Sequence, residues 1–303
     1  DSISPLLLKR HNQIFDNRDK IPCEKLLRKT SIQNLGFWTE TLLVEKWQSK
    51  SADISNLLIQ NKNNWEQSFY QFTARQFGLP VNADAFEKLA SLIPLKTLTK
   101  CKGNLFQLEA ILFGASGFLN DEIDDDYYKS LQKEFAFLAK KYSLDVMNYT
   151  EWKFSRMRPG NFPTIRIAQF ASMIHQSSHL LSKCVSMINN KQLADLFETT
   201  ASDYWNNHYQ FKKVSIKKIK MMGGNTIQLI LMNGVLPFVF YYAKEHANDG
   251  LMQQCIDQMN LMKPEKNSII SNWKSLGLKA DSACDSQALL WLRKKYCNEK
   301  QCL

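Results

Sequence analysis

Trp65-Glu66-Gln67-Ser68-Phe69-Tyr70-Gln71-Phe72-Thr73-Ala74-Arg75-Gln76-Phe77-Gly78-Leu79-Pro80 decides the fold class. Its large apolar side chains fall at 65, 69, 72 and 77, steps that track a helix rather than a strand. Gly78 and Pro80 then stop the run. The same period recurs on both sides. Trp38, Leu42, Leu43, Trp47, Ile54, Leu57 and Leu58 predict one long helix or a broken pair. Ile3, Leu6, Leu7, His11 and Ile14 predict a helix over 3–16. Asn82 reads as the cap of a helix that turns Phe86 and Leu89 inward. Asn104 opens another, through Leu105, Leu108, Ile111 and Leu112 to Gly114. Residues 125–142 are amphipathic through Tyr128, Leu131, Phe135 and Leu138. Further helices are expected near 164–175, 179–188, 191–201, 226–247, 249–259, 267–276 and 284–296.

Strand signals are few. Val214-Ser215-Ile216-Lys217-Lys218-Ile219-Lys220 partly alternates before Gly223-Gly224, and reads equally as a short strand, a basic loop or a helix. The fold class is therefore all-α, an irregular multi-helical array that two packed helical subdomains could form. No repeat of fixed period supports a regular solenoid.

The chain has 303 residues, 44% hydrophobic and 22% charged, with 11 Gly and 8 Pro, which excludes a disordered or fibrous protein. Its net charge of +10 is uneven. Residues 1–150 hold 19 Lys+Arg against 18 Asp+Glu, and residues 151–303 hold 20 against 11. The expectation is a near-neutral helical subdomain (1–150) and a basic one (151–303), in one compact unit. No run of ~18 apolar residues is evident, so no membrane partner is expected. Seven scattered cysteines and no leader suggest free thiols in a reducing, cytoplasmic setting. Cys297 and Cys302 are spaced as a pair, but two thiolates do not close a metal site, so they count only if the chain continues.

The densest candidate stretch is Trp152-Lys153-Phe154-Ser155-Arg156-Met157-Arg158-Pro159-Gly160-Asn161-Phe162-Pro163-Thr164-Ile165-Arg166. Arginine forks grip phosphate, aromatic faces stack bases, and Pro163 opens a helix whose N-terminus favours anions. Trp152, Lys153, Arg156, Arg158, Asn161 and Arg166 are the candidate ligand residues. The plainer expectation is that the arginines pair with carboxylates and the aromatics fill core. Lys212, Lys213, Lys217, Lys218 and Lys220 form a second basic run, able to track a polyanion or simply to face solvent.

Glu109 lies among apolar neighbours and wants a partner, and Arg156, Arg158 or Arg166 are the expected ones. The acids 121–126 read as a helix cap rather than a cation site. His175 and His179 lack the glutamate of a zinc-protease motif, and no metal is expected there. No nucleotide or cofactor fingerprint is present, so no cofactor is called for.

Three groups of residues look familiar together. They are Phe69-Tyr70 through Ala74-Arg75 with Phe77-Gly78 and Val81-Asn82, then Leu108-Glu109-Ala110-Ile111-Leu112-Phe113-Gly114. The third is Trp152-Lys153-Phe154 with Arg156, Arg158-Pro159 and Asn161-Phe162-Pro163. The chain resembles the bacterial domain-of-unknown-function family 2851, found mainly in Bacteroidetes, over most of residues 30–303. The resemblance brings no established activity. It implies a further N-terminal region rich in Asp, Glu and His, a natural home for metal-dependent, nuclease-like hydrolysis, and a cysteine motif continuing beyond Cys302.

Three functions compete. The first is a helical nucleic-acid or polyanion binding module accompanying a catalytic region outside this chain, with that region as a partner. The second is a hydrolase or phosphate-handling enzyme centred on Glu109 and the Arg156/Arg158 loop. The third is a structural or partner-binding scaffold. Charge distribution favours the first, in which this chain is not itself the enzyme.

Overall fold

The computed structural model describes residues 4–6, 8, 9, 21, 35–189 and 191–299. Cys23, Cys302 and most of the helix expected over 3–16 lie outside the described residues. In chain order the α-helices are α1 (Leu35–Gln48), α2 (Ser51–Gln60), α3 (Trp65–Phe77), α4 (Leu79–Leu92), α5 (Leu95–Cys101), α6 (Leu105–Ala115) and α7 (Asp126–Tyr142). Then follow α8 (Pro163–Gln176), α9 (Leu180–Ser186), α10 (Gly224–Ile230), α11 (Leu236–Glu245), α12 (Asp249–Leu261), α13 (Ser268–Ser275) and α14 (Ala283–Leu292). A two-stranded antiparallel hairpin, β1 (His208–Gln210) with β2 (Lys213–Val214), is the one sheet among the described residues. The architecture is an all-α multi-helical array.

Packing divides the chain into Asp1–Ala52 with Ala247–Leu303, and Asp53–His246. In the first unit α14 packs against α1. Trp273, Leu278, Leu289 and Cys297 form a buried cluster, and Trp273 Nε1 donates to Leu289 O at 3.1 Å. Leu42, Ala288 and Trp291 form a second, with Trp38 packed against it. Ser282 and Asp285 cap α14 reciprocally, which fixes where it starts.

The second unit pairs α3 with α4 and α6 with α7, around a nearly all-buried α8. Phe170 on α8 meets Phe77 at 4.8 Å and stacks on Tyr70 at 5.8 Å. Phe238 on α11 meets Phe69 at 5.1 Å and Phe72 at 5.6 Å. Burying each such ring contributes about 2–3 kcal/mol, so the aromatic spacing that predicted α3 also builds the core. The expected boundary at residue 150 lies inside this unit. The charge excess is shared: residues 53–246 hold 22 Lys+Arg and 17 Asp+Glu, the remainder 17 and 12, so each unit is +5. Within the second unit residues 53–150 are −2 and residues 151–246 are +7.

Two expectations change and one open reading is settled. Asn82 does not cap a helix; it sits inside α4 with φ −118° and ψ 18°, a kink that frees its side chain for the loop described below. Of the three readings open for 214–220 the basic loop is the one found, since only Lys213–Val214 pairs with β1. Finally, Gly224–Glu245 is a continuous 22-residue helix, long and apolar enough to cross a membrane, where no such run was expected. Asn225, Thr226, Gln228 and Asn233 disguise it, because none is charged though all are polar. Two-thirds of its apolar window is buried inside the protein, as for a core helix. A π segment, Leu231–Val235, interrupts it. Pro237 has no N–H to offer Asn233, and Leu236 N–H reaches back to Leu231 O, five residues away.

Candidate functional site

Glu109 lies on α6, 1% exposed, between apolar neighbours that the helix turns into the core. No arginine among the described residues reaches it, contrary to the expected ion pair. Tyr127 Oη donates to it, and Ser202 Oγ lies 2.8 Å and 3.0 Å from its two oxygens. Asp125 sets Tyr127 in place by capping α7: its Oδ1 accepts from Tyr128 N–H at 2.9 Å. Its Oδ2 accepts from Tyr204 Oη at 2.7 Å, so one acid both caps the helix and ties down the ring beside Tyr127. Tyr127 stacks on Tyr204 at 4.3 Å, and Tyr204 stacks on His208 at 4.1 Å. Burial pushes the Glu109 carboxyl up to about 7, against the hydrogen bonds from Tyr127 and Ser202 that favour the carboxylate. A carboxyl so placed gains and loses a proton near neutral pH.

Arg166 was expected to meet a carboxylate and does not. Its guanidinium is 3% exposed, and its partners are neutral oxygens. Nη1 donates to Gln169 Oε1 at 2.9 Å, and Nη2 donates to Asn161 Oδ1 at 2.6 Å and Thr226 Oγ1 at 3.0 Å. Its Nε has no partner. Burial pushes its pKa down to about 10, which still leaves it charged at neutral pH. Gln169 Nε2 donates in turn to Lys220 O at 2.9 Å. Lys220 is itself buried, its Nζ on Lys218 O (2.9 Å) and Asn206 O (3.1 Å), 4.0 Å over the Tyr209 ring. The two basic stretches of the sequence therefore meet through Gln169, by their innermost cations.

The aromatics of the loop do not face outward for stacking. Trp152 is buried, donates from Nε1 to Ser116 O at 2.9 Å, and sets its ring against Phe86 at 5.2 Å. Phe154 packs edge-on to Phe162 at 5.2 Å. The kinked Asn82 grips this loop as a strand neighbour would: its Oδ1 accepts from Lys153 N–H at 2.8 Å and its Nδ2 donates to Lys153 O at 2.9 Å.

What remains at the surface is basic. Lys153, Arg156, Arg158, Lys212, Lys213, Lys217 and Lys218 are exposed, and none is in an ion pair among the described residues. Arg156 and Lys212 have left-handed backbones, φ 59° and 67°. Thr164 Oγ1 donates to Tyr209 O at 2.5 Å, which seats the hairpin on the first turn of α8, where the loop ends. Val214, Ile216, Ile219 and Met221 are exposed between the lysines, Ile216 at 92%.

Sequence reading missed Tyr127, Ser202, Asn82, Gln169 and Thr226 as site residues. Tyr127 sits next to the inward Tyr128 on a helix whose apolar stripe draws the eye, and Ser202 lies in a stretch without period. His175 was considered as a ligand; its Nδ1 lies 2.6 Å from Lys102 O. Among the described residues no three His, Cys, Asp or Glu side chains gather as a metal would need. Cys297 packs in the core of the first unit.

No curated protein and no solved structure matches the chain. The family described as protein of unknown function (DUF2851) matches residues 1–268, most of the length, and the chain belongs to that family.

Proposed function

We propose that this protein binds a polyanion, namely the phosphate backbone of nucleic acid, across the Lys153–Arg158 loop and the Lys212–Lys218 hairpin. The observation that carries the reading is the set of seven exposed cations with no ion-pair partner on these two neighbouring segments. Exposed lysines and arginines left without carboxylates keep their charge available for phosphate, and each contact releases counterions. Trp152 is buried and the half-buried Phe154 and Phe162 pack on each other, so recognition is by charge and independent of base sequence. Arg166 and Lys220 hold the two segments together from beneath rather than touching the ligand.

Fluorescence anisotropy with labelled duplex DNA and RNA across a salt series tests this. Binding is expected at about 50 mM salt, weakening steeply as salt rises. Arg158→Ala and Lys217→Ala each reduce the salt slope by about 1, uniformly across sequences. Absence of binding at the low-salt end overturns the reading.

A second reading rests on Glu109. A buried carboxyl titrating near 7 beside two hydroxyls suits a general acid or base in a hydrolase. Hydrolysis of an activated phosphodiester between about pH 5 and pH 9 separates the two readings. Activity lost in Glu109→Gln supports an enzyme; no hydrolysis by the wild type removes it.

A further inference from the structure

A cavity of about 590 Å³ opens in the second unit, lined by none of the residues of the basic surface or of the Glu109 site. The N-terminal turns of α3, helix α5, the end of α8 and the turn into α9 enclose it. Its volume lies within the range of small-molecule pockets, which are mostly apolar with a few placed polar groups. Phe69, Tyr70, Leu95, Met173, Ile174 and Leu180 give the apolar walls.

The charged part of the lining is lopsided. Lys96, Lys100 and Lys102 all border the cavity, the first two one helical turn apart on α5. None is in an ion pair among the described residues, although Lys102 Nζ donates to Ser178 Oγ and Lys100 Nζ lies 5.5 Å from the Tyr142 ring centre. Glu66, the only acid in the lining, accepts from Ser182 Oγ at 3.3 Å. The hydroxyls of Tyr70 and Ser177 belong to lining residues, are buried, and have no hydrogen-bond partner. Neither oxygen has accessible surface, so neither faces the open space of the cavity, and the lysines carry the polar character of its wall.

The backbone narrows the ligand class. Phosphate sites usually present a row of spare N–H groups at a helix start. Here Gln67 N–H of α3 is taken by Asn64 Oδ1 (3.1 Å) and Leu95 N–H of α5 by Gln67 Oε1 (2.8 Å), while α9, which has no side-chain cap, is only 7 residues long. Side-chain ammonium groups over an apolar chamber suit a smaller head on a hydrophobic body. We propose that the cavity binds an apolar molecule carrying one carboxylate, its body against Phe69, Tyr70, Met173 and Ile174 and its charge toward Lys96, Lys100 and Lys102.

Calorimetric titration of the full chain with dodecanoate, below its micellar concentration, tests this, with dodecanol and inorganic phosphate as comparison probes. Saturable binding of one dodecanoate per chain is expected, with dodecanol at least about tenfold weaker, as loss of a charge-assisted contact implies, and phosphate not binding. Lys96→Ala with Lys100→Ala weakens dodecanoate about tenfold. Thr99→Trp, at an exposed position of the lining, blocks it. All three positions are exposed, so these variants keep the fold, which circular dichroism verifies. Lys212→Ala with Lys217→Ala leaves dodecanoate affinity unchanged, which separates the cavity from the basic hairpin. The proposal is overturned by non-saturable dodecanoate uptake, by dodecanol or phosphate binding as tightly, or by an unchanged affinity in the Lys96/Lys100 variant.

Discussion

Glu109 and Arg166 are opposite charges in one unit, each expected from sequence to need a counter-ion, and neither has one among the described residues. Each is surrounded by neutral hydroxyls and amides instead. For Glu109 this has a measurable consequence. Below about pH 4.5 the folded and unfolded chains both hold its proton. Between 4.5 and about 7 the unfolded chain releases the proton while the folded protein keeps it, so stability falls as pH rises. Above 7 the loss is complete, at about 3 kcal/mol. Glu109→Gln removes this dependence. Urea unfolding of both proteins at about pH 5 and about pH 8 is expected to show the variant gaining about 3 kcal/mol on the wild type at the higher pH. A pH-independent difference between them shows that Glu109 does not titrate in this range. The partners themselves were beyond sequence reading. Tyr127 is 18 residues from Glu109 and Ser202 is 93, and neither separation leaves a periodic trace.

Elements were more legible than contacts. Asn104 and Asp125 cap the helices they were expected to open, because a cap is a local hydrogen bond between neighbours in sequence. Asn82 carried the same local signal and does something else, since its amide faces a loop 71 residues away. That amide is the one fixing between α4 and the backbone of Lys153, on a loop whose Arg156 already sits in a left-handed conformation. Asn82→Ala leaves two backbone groups of Lys153 without partners. It is expected to cost about 2 kcal/mol in denaturant unfolding and to weaken polyanion binding through loss of loop order. Asn82→Asp, which accepts but no longer donates, is expected to keep part of the stability. Gly117 is fixed by its surroundings rather than by a signal in the sequence. Its φ of +77° and the Met147 carbonyl, 2.6 Å from where a Cβ would stand, demand glycine. Gly117→Ala is expected to lower stability by about 2 kcal/mol in the same measurement.

At the scale of the whole molecule, helix content was readable because aromatic and aliphatic residues keep the helical period over most of the chain. The division into packed units was not. Charge suggested a boundary at 150, whereas packing joins the two ends of the chain and leaves 53–246 continuous. Composition follows the order of residues, but burial follows which helix faces fit, and Leu42 fits Ala288 and Trp291 from the far end of the sequence. A fragment of residues 53–246 is expected to melt in one cooperative transition by calorimetry, while residues 1–52 alone stay unfolded.

That same closure of the first unit sets a timetable for synthesis. Residues 53–246 form a compact unit from one unbroken stretch of chain, so they can fold as they leave the ribosome. Leu42 and Trp38 emerge earlier and must wait for Ala288 and Trp291. At about 5–20 residues per second the wait is roughly ten seconds or more. Through that interval the first helix carries exposed apolar surface, which makes the nascent chain, more than the finished protein, a client for chaperones.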